Sequence, residues 1–94
     1  MEIFHSDKPT KRFVAVLGSG EKIYFGQPKG KTYIDGASDS VRANYRARHY
    51  ANAAERHRIL NLIISPALLS WAILWGKSHS IHKNIRSLMK KLKL

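Results

Sequence analysis

Lys11-Arg12-Phe13-Val14-Ala15-Val16-Leu17-Gly18-Ser19-Gly20-Glu21-Lys22-Ile23-Tyr24-Phe25 sets two β-branched and aromatic segments on either side of a Gly-Ser-Gly turn. That pattern is a β-hairpin. On its C-terminal side the cluster Gly26 to Gly30 breaks the chain again, and Lys31-Thr32-Tyr33-Ile34-Asp35 reads as a third strand. On its N-terminal side Ile3-Phe4 supplies a short fourth strand, with Pro9 in the turn that follows. A three- to four-stranded antiparallel sheet of this size needs a cover on one face.

The rest of the chain reads as helices. Ser38-Asp39-Ser40 offers an N-cap for a helix from Val41 to about His57, free of Gly and Pro and rich in alanine. Its apolar side is thin (Val41, Tyr45, Tyr50), while Arg42 and Arg46, one turn apart, form a basic stripe. Ser65-Pro66 carries the cap and first-position signature of a second helix, which runs through Trp71 to Trp75 and stops at Gly76. Ser78 or Ser80 then caps a last helix whose apolar stripe is Ile81, Ile85, Leu88, Met89 and Leu92. The expected fold is therefore α+β, a small antiparallel sheet covered by about three helices. Residues 1–94 read as one domain, with 1–37 the sheet and 38–94 the basic helical part.

The 94 residues carry 17 Lys+Arg against 6 Asp+Glu, a formal net charge of +11. The charge is uneven: Met1 to Asp39 holds 6 basic and 5 acidic residues, whereas Ser40 to Leu94 holds 11 basic residues and one acid, Glu55. An anion-facing surface is thus expected in the second half, toward nucleic acid, anionic lipid or an acidic protein. With no cysteine there is neither a disulfide framework nor a thiolate metal site. Met1 to His5 lacks the basic and apolar regions of an export signal.

The apolar run Ile59 to Trp75 is interrupted by Asn61, Ser65, Pro66 and Ser70 and is shorter than the roughly 20 apolar residues that cross a bilayer. It reads first as a buried connector and a core helix. The second reading is a docking or interfacial surface presented by Trp71, Leu74 and Trp75, with basic residues on both flanks.

No motif supplies a convincing catalytic or metal site. His79-x-x-His82 has helical spacing but no neighbouring Cys, Asp or Glu to complete a ligand set. The six acids are isolated in sequence. Asp35 alone follows a strand, and a turn or cap before Gly36 explains it best. Gly30-Lys31-Thr32 ends like a phosphate loop, yet Gly26 and Gly30 enclose three residues rather than four, and a strand rather than a helix follows. The chain reads as a non-enzyme without cofactor or small-molecule substrate.

Lys11-Arg12-Phe13-Val14-x-Val16, Ile23-x-Phe25-Gly26, Gly30-x-Thr32-Tyr33-Ile34-Asp35, Asn44-Tyr45-x-x-Arg48-His49, Leu69-Ser70-x-x-Ile73-Leu74-Trp75-Gly76-x-Ser78 and Asn84-Ile85 follow one another in order. This series resembles a family of short uncharacterised proteins encoded by large DNA viruses of algae and protists and by some aquatic phages. The resemblance implies kinship but no mechanism, because no catalytic or binding residue comes with it. Ile59 to Ile64 is more apolar than the family pattern, as expected of a member that docks against something apolar.

Two functions from different classes fit these features. One is a viral structural or interaction protein, a minor capsid-associated virion component that contacts other virion proteins, an internal membrane or the genome. Its place would be the virion and, during assembly, the host cell interior. The other is a nucleic-acid-binding module in which Arg42, Arg46, Arg48, Arg56, Arg58, Lys90, Lys91 and Lys93 contact phosphates without reading sequence.

Overall fold

A computed structural model describes residues 1–94. Three antiparallel strands, β1 (Glu2–His5), β2 (Phe13–Val16) and β3 (Lys22–Phe25), lie in the order β1-β2-β3. The hairpin closes over Gly18-Ser19-Gly20, and the register pairs Phe13 with both His5 and Phe25, and Ala15 with both Ile3 and Ile23. Directly paired residues share a face, so Phe13, Ala15, Phe25, Ile3 and Ile23 form the inner side. The alternate residues Phe4 and Tyr24 point the other way and stay at least partly exposed.

Four helices follow: α1 (Asp39–Ala51), α2 (Ala53–Leu60), α3 (Pro66–Leu69) and α4 (Ile81–Leu92). The fold is α+β, with strands first and helices after. One core joins both halves, Phe13, Ala15, Phe25, Tyr33 and Ala37 packing with Leu68, Leu69, Ile73, Leu74, Trp75 and Leu88. Each fully buried Leu, Ile or Phe there contributes about 1.5–3 kcal/mol relative to exposure. No helix is long and apolar enough to cross a membrane.

Two expectations are corrected. Tyr33–Asp35 is a 3-10 turn, not a strand. Asp35 Oδ2 accepts from the Thr32 amide (3.0 Å) and hydroxyl (2.7 Å), which curls the chain, and Gly36 ends the turn at φ 95. The strand at Ile3-Phe4 does form, so the sheet has three strands. The long helix from Val41 is broken at Asn52, where ψ turns to 117. The Asn52 side chain accepts from the Glu55 amide and starts α2 afresh. Asn52-x-x-Glu55 is the sequence signal for that restart.

Ser65 caps α3 through the Leu68 amide, as its sequence position implies. The helix then widens into a π segment, Ser70–Leu74, where the Trp75 amide reaches back five residues to Ser70 O at 3.0 Å. A widened turn leaves extra carbonyls without intrahelical donors. Asn84, buried on α4, donates to Ile73 O (2.9 Å) and Ser78 O (2.7 Å), and its Oδ1 accepts from the Ser78 amide (3.0 Å). Gly76 lies so close to this junction that a Cβ would come within 2.3 Å of Ala72 O and 2.7 Å of Asn84 Cγ. Its role is close approach more than helix termination.

Candidate functional site

The buried side of α1 is not an apolar stripe. Arg42, Tyr45, Arg46 and His49 sit at i, i+3, i+4 and i+7 and are each partly buried, while Val41 is 46% exposed. Arg42 Nε donates to Trp75 O (3.1 Å) and Gly76 O (2.9 Å), and Arg46 Nη1 donates to Trp75 O at 2.7 Å. These are the carbonyls at the end of the π segment, so both guanidinium groups cap it. Burial, and Arg42 nearby, pull the Arg46 guanidinium below its ordinary pKa. The expected basic stripe of Arg42 and Arg46 therefore faces inward.

Of the two readings of Ile59 to Trp75, the second, a docking surface of Trp71, Leu74 and Trp75, is corrected. Leu74 and Trp75 are buried, at 2% and 8% exposure, because they close the core between the sheet and α1. Trp75 stacks on Tyr45 at 4.3 Å and 9°. Trp71 is half-buried, covered by Arg46 and by the Tyr50 ring 5.7 Å away.

What remains open is a cationic cleft of about 760 Å³. Lys11 lines it from the segment just before β2, Lys29 and Lys31 from the glycine-rich loop and its end, and Arg48 and Arg58 from α1 and α2. Tyr45, Leu74 and Trp75 also contribute to its lining. Gly26 holds the loop against the core at φ 85, where a Cβ would lie 3.1 Å from Leu74 Cδ1. Arg12 forms an ion pair with Asp35, and His49 hydrogen-bonds Glu55; neither contact engages a cleft lysine or arginine. Glu55, the one acid in the lining, is held by His49 Nδ1 at 2.7 Å. The surface facing solvent is thus a concentration of net positive charge, five cations against one carboxylate.

Tyr45 offers no free ring face, since Trp75 covers one side and His49 lies 4.1 Å away. Burial, helped by Glu55, pushes its hydroxyl up to about 12, so it stays neutral. The cleft can accept phosphate or carboxylate oxygens but provides no aromatic platform on Tyr45 for stacking bases.

Of the residues expected to contact anions, Arg48 and Arg58 come together here. Arg56 does not: it donates to Tyr50 O at 3.0 Å. Lys90, Lys91 and Lys93 are exposed at the end of α4 and do not line the cleft. Lys11, Lys29 and Lys31 were missed because the first half is nearly neutral overall. Three of its five acids are engaged elsewhere, Asp35 by Arg12, Asp7 by Tyr24 and Asp39 by Tyr33, and Glu2 and Glu21 do not line the cleft. The pairing of lysines with a Gly-Pro-Gly loop was the available signal.

Residues 1–49 match the model of a family of unknown function (DUF5754). The chain belongs to that family. A relative 40% identical over 80 residues, covering 80% of each chain, is the uncharacterised protein L851 of Acanthamoeba polyphaga mimivirus. These matches support the kinship with uncharacterised proteins of large DNA viruses. No solved structure matches. The segment shared with the DUF5754 family contains the sheet, the glycine-rich loop and most of α1, hence Lys11, Lys29, Lys31 and Arg48; Arg58 lies beyond it.

Proposed function

We propose that this protein is a non-enzymatic, sequence-nonspecific nucleic-acid-binding protein of a virus, holding a phosphate backbone in the cationic cleft. One observation carries the reading: Lys11, Lys29, Lys31, Arg48 and Arg58 converge from both halves of the chain on a cleft with a single acid, Glu55, which is hydrogen-bonded to His49. Phosphate neutralisation by such groups gives affinity and register without sequence information. The engagement of Tyr45 by its neighbours supports backbone contact over base stacking.

Fluorescence anisotropy with a random-sequence duplex tests it. The double variant Lys31→Glu/Arg58→Glu is expected to bind at least roughly tenfold more weakly at low salt while melting like the unchanged protein. Equal binding by the two proteins would overturn the assignment. The minor-virion reading attaches to the same surface, since a genome-contacting virion component needs such a cleft. Particle mass spectrometry at a fixed ratio to the major shell protein supports that location, and absence from particles removes it.

A further inference from the structure

Large hydrophobic side chains are exposed at seven positions, and three of them, Leu60 (61%), Leu62 (36%) and Ile63 (42%), fall within four residues at the end of α2. The turn is a Schellman motif: the Ile63 amide donates to Arg58 O at 2.9 Å and the Leu62 amide to Ile59 O at 3.3 Å. Such a motif places its penultimate residue in the left-handed region, where glycine or asparagine is the usual occupant. Here that residue is Leu62, at φ 52. A bulky residue is strained in this conformation, and a turn that served only to end a helix gains nothing from leucine.

We propose that Leu60, Leu62 and Ile63 form a docking tip that inserts into the interface of an anionic lipid bilayer. Charge chooses the occupant. Arg58 is exposed beside the tip with no carboxylate partner, and Glu55, the one acid of the second half, is held by His49. The occupant must combine an apolar interior with a negative surface. A second copy of the chain brings the same +11 charge, and a nucleic-acid backbone has no place for three aliphatic side chains. An anionic bilayer supplies both, in the way that apolar insertion and basic flanks act together at membrane interfaces. Leu60, Leu62 and Ile63 lie outside the lining of the nucleic-acid cleft, with which the tip shares only Arg58, and the proposal stands on a different observation.

Co-sedimentation with vesicles of phosphatidylcholine alone and of phosphatidylcholine with phosphatidylserine provides the test. The protein is expected to sediment with the anionic vesicles and not with the neutral ones. The variant Leu60→Ser/Leu62→Asn/Ile63→Ser should lose roughly tenfold or more of that binding while its duplex-DNA affinity stays unchanged. Leu62→Asn alone, which relieves the backbone, should melt no lower than the unchanged protein and still bind vesicles more weakly. In Leu60→Trp the fluorescence should shift to the blue on adding anionic vesicles. Undiminished vesicle binding by the triple variant, an unshifted Leu60→Trp emission, or no binding to anionic vesicles would each overturn the proposal. So would a dimer in sedimentation velocity that the triple variant abolishes, since the occupant would then be a second copy.

Discussion

Arg46 lies over the indole of Trp71, its guanidinium carbon 3.8 Å from the ring centre, while its Nη1 reaches Trp75 O at 2.7 Å. The contact joins a helix that carries positive charge to the π segment that closes the core. The widened turn needs donors for its last carbonyls, and Arg42, Arg46 and Asn84 provide them. Part of the basic composition is thereby structural, which removes Arg42 and Arg46 from the surface available to a polyanion.

Arg46→Ala should destabilise the protein by about 2–3 kcal/mol, by removing the shorter of the two guanidinium bonds to Trp75 O, leaving Arg42 as its one side-chain donor, and by uncovering Trp71. For a domain of this size that is a fall in melting temperature of roughly 10 °C or more. Arg46→Lys should recover part of it, and polyanion affinity of the folded fraction should hardly change. A variant of normal stability that no longer binds duplex would reverse the assignment.

Asn84→Ala should cost about 2–4 kcal/mol in urea denaturation, because three backbone groups lose their partner in a buried setting. Gly76→Ala should cost at least about 2 kcal/mol, since the added methyl meets Ala72 O and the Asn84 side chain. If the two changes are coupled through that contact, the double variant should lose less than the sum.

Arg12 grips Asp35 with two bonds of 2.6 Å each and holds its carboxyl well below the usual carboxylate range. A folded-state pKa depressed in this way stabilises the protein above the unfolded value, near pH 4, and that stability is lost as pH falls toward the folded value. The pair is partly exposed, so Asp35→Asn should cost only about 1 kcal/mol at neutral pH. The difference from the unchanged protein should shrink below about pH 4. A gap that persists undiminished into stronger acid would contradict the pairing as its cause.

The hairpin, the Ser65-Pro66 helix start and the stripe of α4 were legible because period, turn glycines and caps act locally. The strand expected at Lys31 to Asp35 failed because β-forming residues were overruled by one carboxylate that bonds Thr32 and Arg12 together. The basic stripe on α1 failed for a different reason. Burial of arginine is decided by distant carbonyls, Trp75 O above all, which helical spacing cannot reveal. The cleft was half legible, since Arg48 and Arg58 were in view, but the lysines that face them lie in a segment whose net charge concealed them.

Whether the cleft holds phosphate is read most directly from the salt dependence of binding to a random-sequence duplex. With five cleft cations, log K should fall linearly with log salt at a slope of about −4 to −5, and Lys31→Glu/Arg58→Glu should make it shallower by about 2. A flat response, or the same slope in both proteins, would contradict it.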